Sequence, residues 1–264
     1  MTERHFTSSD GVALCYDDVG PASGPPIVLC HGLAAAALQF RDDATFFAGL
    51  GHRVLVPDLR GHGRSASPSP MRPEAFSIAR LAADMIEMLD HAGAEKVHWV
   101  GNSLGGIVAL ELLRQERFHT LATFGTVYAV ALPQIGGHHL VTASRALLGQ
   151  KLLASLTARS TSRDPAARAL IETILRDARH DVTAMLAGVL TRYDLIAAAE
   201  AATIPILLLR GGRDTAVNAG LASTLKAMQG RPNFTLVELP EGGHCANLDA
   251  RGAFRAALLA FWSS

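Results

Sequence analysis

Hydrophobic residues along this chain come in short runs that are separated by amphipathic stretches. Eight of the runs are typical of buried or half-buried strands, and they lie at about 3–7, 12–18, 26–31, 52–58, 97–100, 120–127, 204–209 and 234–239. The stretch 76–93 carries apolar residues at helical spacing, among them Leu81, Met85 and Met88. Further helices are predicted at 38–50, 104–115, 217–229 and 247–262. Strands that alternate with helices predict β-α-β units and a mainly parallel sheet.

This alternation stops between about 130 and 200. The segment is rich in Ala and Leu with scattered arginines, and its pattern is helix-rich and strand-poor. The alternation resumes with the run "IPILLLRGGRD". We therefore predict an α/β core formed by residues 1–129 and 201–264, with residues 130–200 inserted after the sixth strand as a helical cap.

Composition narrows the class of protein. A chain of 264 residues with 49% hydrophobic residues fits one α/β core with an insertion. Its 24 basic residues are balanced by 24 acidic ones, so we expect no nucleic-acid or membrane partner. The longest apolar runs are far shorter than the ~20 residues of a membrane span. The polar N-terminus and three cysteines without C-x-x-C spacing predict a cytoplasmic protein with free thiols.

The segment "VHWVGNSLGGIVALELL" at 97–113 places a polar serine, Ser103, between a buried strand and a buried helix. Gly101 and Gly105 on either side permit a tight turn and close packing of the strand against the helix. A hydroxyl on such a turn stands clear of the sheet at the positive end of the helix, as in a nucleophile elbow. The G-x-S-x-G spacing by itself also fits an ordinary glycine-rich connection, so it is a hypothesis that needs context.

A serine hydroxyl is a weak nucleophile and needs a general base, which in turn needs an acidic partner. His244 stands out because it lies in the glycine-rich loop "PEGGHCANL" between the last strand and the last helix. Asp214 follows a strand and lies between Ser103 and His244 in the chain, in the order nucleophile, acid, base. Parallel strands end on one rim of a sheet, so we predict that the three side chains meet there. A role for Asp214 as a helix N-cap is the competing interpretation.

An oxyanion needs two backbone N–H donors. The N–H of Leu104 follows the serine at the helix start, where it is free to receive a developing negative charge. The second donor is expected in the loop after the third strand, "LCHGLAAA", where Gly32 lets the backbone approach closely. We predict the Leu33 N–H as that donor.

Five motifs in this order resemble those of the α/β-hydrolase superfamily: "HGL" at 31–33, "DLRGHGRS" at 58–65, "GNSLGG" at 101–106, "GGRD" at 211–214 and "GGHCANLD" at 242–249. The resemblance covers nearly the whole chain. It implies an α/β-hydrolase fold with an eight-stranded, mostly parallel sheet flanked by helices, a cap after the sixth strand, and acyl transfer through a serine ester. It also implies loop-shaping roles for His31 and His62. Chemistry of this kind needs no cofactor and no metal.

The substrate class follows from finer resemblances. Carbon–carbon bond hydrolases of aromatic degradation share "GNS" at the elbow. They usually carry a Ser-Gly-rich loop after "HG" and a Trp directly after the catalytic histidine. At those two places this chain has "HGLAAAA" and Cys245. The run "HCANLD" is more similar to enol-lactone hydrolases and perhydrolase-type esterases. We therefore predict a hydrolase of a small-molecule carboxylic ester or lactone. A carbon–carbon hydrolase of a dienoic keto acid, a lyase and a ligand receptor of the same fold stay open, and a homodimer is compatible with the sequence.

Overall fold

The computed structural model describes residues 2–132 and 137–263 of the chain. Ten strands are present in these ranges: β1 (Thr2–Thr7), β2 (Ala13–Val19), β3 (Pro26–Cys30), β4 (Arg53–Asp58), β5 (Val97–Asn102), β6 (Phe118–Phe124), β7 (Ala129–Ala131), β8 (Arg192–Asp194), β9 (Ile206–Gly211) and β10 (Phe234–Leu239). Eight of them form one sheet in the order β1-β2-β4-β3-β5-β6-β9-β10. β2 runs antiparallel to β1 and β4, and the other neighbours are parallel. The predicted fold class is confirmed.

Eleven α-helices lie in the described ranges: α1 (Arg41–Gly49), α2 (Ile78–Ala92), α3 (Leu104–Leu112), α4 (Gly137–Thr161), α5 (Pro165–Asp177), α6 (His180–Val189), α7 (Ile196–Ala201), α8 (Thr215–Gly220), α9 (Ala222–Met228), α10 (Ala246–Asp249) and α11 (Arg251–Trp262). In this part of the chain, no helix combines the length and the apolar character that a membrane crossing requires. α2 shows how local sequence sets helix ends. The Ser77 hydroxyl accepts the N–H of Arg80 at its start, and Gly93 takes a left-handed conformation at its end.

The core has two layers, one on each face of the sheet. Successive residues of a strand point to opposite faces, and β3 shows this directly. Val28 and Cys30 belong to the apolar cluster that includes residues of α2 and α3, whereas Ile27 and Leu29 belong to the cluster that includes residues of α1 and α11. All four side chains are fully buried. Short, continuous apolar strands are what a sheet covered on both faces requires.

Two predicted helices are interrupted. The helix predicted at 217–229 is two short helices, α8 and α9, with Leu221 between them. The helix predicted at 247–262 is divided at Ala250, whose φ of −119° and ψ of 40° are not helical. The first part, α10, is held by bonds that Asn247 and Asp249 accept from Gln39 and Ser162 in distant segments. Apolar periodicity does not reveal such contacts.

The segment between β6 and β9 contains α4, α5, α6, α7 and a small antiparallel ribbon. In this ribbon β7 pairs with β8, with Ala129 opposite Asp194 and Ala131 opposite Arg192. The ribbon was not predicted, because strands of three residues are too short to show a two-residue period. The bounds 130–200 stay a prediction for the cap domain, and residues 133–136 of that range lie outside the described residues.

Candidate active site

Ser103 occupies a strained turn between β5 and α3. Its φ of 49° and ψ of −112° lie in a region that residues with a side chain rarely adopt. Two neighbouring glycines make the turn sterically possible. A Cβ atom on Gly101 would lie 2.5 Å from the Gly105 carbonyl, and one on Gly105 would lie 2.3 Å from the Cys30 carbonyl oxygen. The end of β5 and the first turn of α3 therefore meet backbone to backbone, with the serine at their junction.

His244 and Asp214 meet at the same rim of the sheet. Asp214 follows β9, and His244 lies in the loop after β10. The His244 ring atom Nδ1 bonds to Asp214 Oδ2 at 2.9 Å. Asp214 also begins α8, because its other oxygen, Oδ1, accepts the Val217 N–H at 3.4 Å. The two interpretations of Asp214, acidic partner and helix N-cap, thus use different oxygens of one buried carboxylate.

Asn102 joins the elbow to the His244 loop. Its Nδ2 donates to the carbonyl oxygen of His244 at 2.9 Å and to that of Phe124 at 3.2 Å. Gly125 packs at this junction: a Cβ there would lie 2.8 Å from Asn102 Nδ2 and 3.1 Å from His244 Cε1. In the described part of the chain, the Ser103 hydroxyl and the His244 ring share no hydrogen bond. Ser103 follows β5 and His244 lies in the loop after β10, so both residues lie at the same rim of the sheet.

The loop after β3 lies beside the elbow. A Cβ on Gly32 would lie 3.0 Å from Asn102 Oδ1 and 3.3 Å from Ser103 Cβ, so the glycine allows the close approach. Leu33 is half-buried, and Leu104 is buried as the first residue of α3. Among the described residues, neither the Leu33 nor the Leu104 N–H donates to a protein acceptor. Both N–H groups stay predictions as oxyanion donors.

His31 and His62 shape this loop. His31 Nε2 accepts the Leu59 N–H at 3.1 Å, so the proton lies on Nδ1, which donates to Gly32 O at 2.7 Å. His62 has the same pattern: Nε2 accepts the Ala34 N–H at 3.3 Å, and Nδ1 donates to Arg60 O at 3.0 Å. Both rings are buried and neutral, and burial lowers the pKa of each. Their nitrogens are used by the backbone, which agrees with a structural role.

A buried polar chain extends from the elbow to the last helix, and sequence analysis missed it. Gln39 Nε2 donates to Asn102 Oδ1 at 3.0 Å and to Asn247 Oδ1 at 3.3 Å. Asn247 Nδ2 donates in turn to Asp43 Oδ2 at 2.9 Å, and Arg255 holds Oδ1 of the same carboxylate at 2.7 Å. Burial raises the pKa of Asp43, while its bonds to Asn247 and Arg255 act in the opposite direction. Asn102 and Asn247 had a sequence indication, since they lie in the "GNSLGG" and "HCANLD" runs, whereas Gln39, Asp43 and Arg255 had none.

A cavity of about 420 Å³ opens between the sheet rim and the helices of the insertion. The rim contributes Gly32, Leu33, Gln39, Asn102 and His244. The insertion contributes apolar and polar residues in nearly equal number. The apolar ones are Val141, Leu153, Ala154, Ile171, Ile174, Leu175 and Ala178, and the polar ones are Ser144, Gln150, Thr157, Thr161, His180 and Thr183. No Arg, Lys, Asp or Glu is among the described residues that line the cavity. Cys245 also lines it, and burial raises the pKa of this thiol to about 12, so it stays protonated.

One group of potential metal ligands lies elsewhere in the described ranges. The ligand atoms of Glu3, His5 and Cys15, on β1 and β2, come within 4.8 Å of one another. Arg64 occupies the same neighbourhood, with Nη1 bonded to Glu3 at 2.8 Å and to Asp17 at 2.7 Å. A guanidinium already neutralises these carboxylates, so the cluster gives no indication of a metal site.

The chain is similar in sequence to known hydrolases. A family model described as "Serine aminopeptidase, S33" (Hydrolase_4) matches residues 24–250. RutD of Variovorax paradoxus, whose name assigns it provisionally to carbamate hydrolysis, is 29% identical over 94% of this chain and 95% of its own length. Epoxide hydrolase A of Mycobacterium tuberculosis is 36% identical over 50% of this chain. The matched region spans only 40% of the length of that epoxide hydrolase.

Solved structures share the fold over the full length. The enol-lactonase of Burkholderia xenovorans LB400 superposes with a TM-score of 0.84 at 21% identity and covers 99% of this chain and 100% of its own. A hydrolase of Pseudomonas aeruginosa PA01 gives a TM-score of 0.82 at 24% identity, covering 100% of this chain and 99% of its own. At these identities the similarity concerns the fold alone.

Proposed function

The chain belongs to the serine aminopeptidase S33 family of α/β-hydrolases and is a hydrolase, and from that premise we propose that it cleaves a small, uncharged carboxylic ester or lactone through an acyl-enzyme on Ser103. In this proposal His244 is the general base, Asp214 orients it, and the N–H groups of Leu33 and Leu104 form the oxyanion hole. The small-molecule substrate is the one partner that the proposal requires. No cofactor or metal takes part in it.

The strained backbone of Ser103 is the observation that carries the proposal. A non-glycine residue at φ 49° and ψ −112° costs about 1–3 kcal/mol, and such strain persists only where the surroundings impose it. Gly101, Gly105 and Gly106 make the close packing around this turn possible. A Cβ on any of them would lie within 2.5 Å of a neighbouring atom. An ordinary connection between a strand and a helix has no need of such a turn, whereas an exposed nucleophile does.

The proposed mechanism has two half-reactions. His244 Nε2 removes the proton from Ser103 Oγ as the oxygen attacks the substrate carbonyl, and the bond to Asp214 keeps Nδ1 protonated so that Nε2 is the basic nitrogen. The N–H groups of Leu33 and Leu104 stabilise the negative oxygen of the tetrahedral intermediate. The leaving alcohol departs with the proton from His244. Water then attacks the acyl-enzyme by the same route and releases the acid.

The charge of the cavity supports an uncharged substrate. A buried carboxylate on the substrate would require a cationic partner, since an unpaired charge in an apolar site is strongly disfavoured. The described lining offers no arginine or lysine. It combines alanine, leucine and isoleucine with neutral polar side chains such as Gln150 and Thr157, and with the histidines His180 and His244. The carbon–carbon hydrolase hypothesis needs a dienoic keto acid, which carries a carboxylate. The ester or lactone hypothesis is therefore the better supported of the two.

The printed names of similar proteins are compatible with this class of chemistry. RutD is named for carbamate hydrolysis, and the Burkholderia protein is an enol-lactonase. Both reactions attack a carbonyl carbon that bears a heteroatom leaving group. The elbow residue in this chain is a serine, which suits acyl transfer.

Hydrolysis of a short-chain p-nitrophenyl ester tests the proposal, with Ser103→Ala as the matched variant. We expect steady turnover by the wild-type protein and its loss in the variant. A single burst without turnover would instead favour the ligand receptor. If the variant hydrolysed the ester at the wild-type rate, Ser103 would not be the nucleophile.

A further inference from the structure

The C-terminal end of α4 lies directly against the loop that carries His244. A Cβ atom on Gly243 would lie 2.5 Å from the carbonyl oxygen of Thr161, the last residue of α4. Any side chain at position 243 would push the helix away. The glycine thus allows the insertion and the His244 loop to touch backbone to backbone.

Asp249 bridges the same two segments with its carboxylate. Oδ2 accepts the Gly243 N–H at 3.0 Å, one residue before His244. Oδ1 accepts the hydroxyl of Ser162, a buried residue that directly follows α4. Each oxygen therefore holds one side of the junction. Burial raises the pKa of Asp249, and the bonds from Ser162 and Gly243 counter part of that effect.

Apolar packing joins the two segments beside this bridge. Cys245 and Leu248, which follow His244, form a buried cluster with Ala158 of α4 and with Ala167 and Ile171 of α5. The insertion and the His244 loop thus share a small apolar core of their own. On its other side the loop is held by the sheet, through the Asn102 bond to the His244 carbonyl.

We propose that Asp249 and Ser162 are positioning residues that make the placement of His244 depend on the docking of α4. This proposal rests on the proposed function, in which His244 is the base for Ser103. A displacement of about 1 Å in a catalytic group costs about a hundredfold in rate. The base is therefore effective only while the insertion helices cover the cavity, and acyl transfer is confined to substrate that is already enclosed.

The test compares Ser162→Ala with the wild-type protein in two measurements. The first is the rate at which a small alkyl fluorophosphonate labels Ser103, since this reagent needs the base but not the full cavity. We expect labelling and the kcat for a p-nitrophenyl ester to fall together, by about tenfold. The second is amide hydrogen exchange of residues 242–246, which we expect to become faster. Asp249→Asn, which replaces one acceptor oxygen with an NH₂ group, should change both in the same direction.

Ser160→Ala is the matched control, because it makes the same chemical change two residues before Ser162. The exposed Ser160 hydroxyl donates to the Thr157 carbonyl oxygen of the same helix at 2.9 Å and is not part of the bridge. We expect labelling and exchange of 242–246 to stay at wild-type values in this variant. Equal effects of Ser162→Ala and Ser160→Ala would overturn the proposal, because the loss would then not come from the bridge to Asp249.

Labelling of the wild-type protein distinguishes failure of this inference from failure of the proposed function. If the wild-type Ser103 is not labelled at all, the proposed function fails, and the bridge then has no role in catalysis. If the wild type is labelled but Ser162→Ala changes neither labelling nor exchange, the bridge does not position His244 and only the present inference fails.

Discussion

Gly105→Ala is the sharpest test of how the elbow is built. The added Cβ would lie 2.3 Å from the Cys30 carbonyl oxygen, 1.1 Å closer than the 3.4 Å at which ordinary van der Waals contact begins. The obstacle is backbone, so no side-chain rotation relieves it. The start of α3 and the end of β3 must therefore move apart by about 1 Å.

The magnitude follows from two opposing effects. Alanine is favoured over glycine inside a helix by about 1 kcal/mol, whereas overpacking a tight contact costs about 1–3 kcal/mol. We expect the free energy of unfolding to fall by up to roughly 2 kcal/mol. Activity should fall further, by about a hundredfold, because the shift separates Leu104 on α3 from Leu33 in the loop after β3.

The assay is kcat/KM on a p-nitrophenyl ester together with urea unfolding. Gly252→Ala is the control: Gly252 is also the second residue of a helix, α11, but nothing lies within 4 Å of a Cβ built there. This variant should gain stability and keep full activity. A Gly105→Ala protein with wild-type kcat/KM and an unchanged unfolding midpoint would refute the packing argument.

Three other outcomes are expected. Asp214→Asn should lower kcat by about 10³–10⁴-fold with little change in KM, because the amide no longer favours the Nδ1-protonated ring of His244; steady-state kinetics checks this. Burial lowers the pKa of His62 from 6.5 to about 3, so its contribution to stability is complete above the unfolded value and is lost as pH falls towards 3. The urea midpoint should accordingly drop between about pH 7 and pH 5, and a constant midpoint would contradict this. Arg60→Met should cost about 3–5 kcal/mol of unfolding free energy, because it removes the main partner of the buried Asp84 carboxylate, and adding Asp84→Leu should restore part of the loss.

Local patterns were enough to predict the eight strands of the main sheet and the residues at its rim. Short apolar runs are typical of strands that are covered on both faces, and period-3.6 spacing is typical of the helices that cover them. The strands β5, β9 and β10 are parallel, so the residues that follow them lie at one rim of the sheet. The bond between His244 and Asp214 is consistent with that prediction. The roles of these side chains in catalysis stay part of the proposal.

Other features depend on contacts between distant positions. Gln39 and Asn247 are 208 residues apart, and no local pattern indicates that their side chains bond to each other. The division of the last helix at Ala250 and the bridge between Asp249 and Ser162 arise in the same way, because both depend on which segments pack together.

The amino-acid sequence by itself determined the order of strands and helices, the glycines around Ser103 and the rim on which Ser103, Asp214 and His244 lie. These follow from local backbone sterics and from the burial of apolar faces, which act over a few residues at a time. Only the tertiary structure decided which residues line the cavity, the neutral state of His31 and His62, and the contact between α4 and the His244 loop. Among the described lining residues there is no Arg, Lys, Asp or Glu. Hydrogen bonding and desolvation between distant segments depend on the packed arrangement, and one-dimensional periodicity does not encode it.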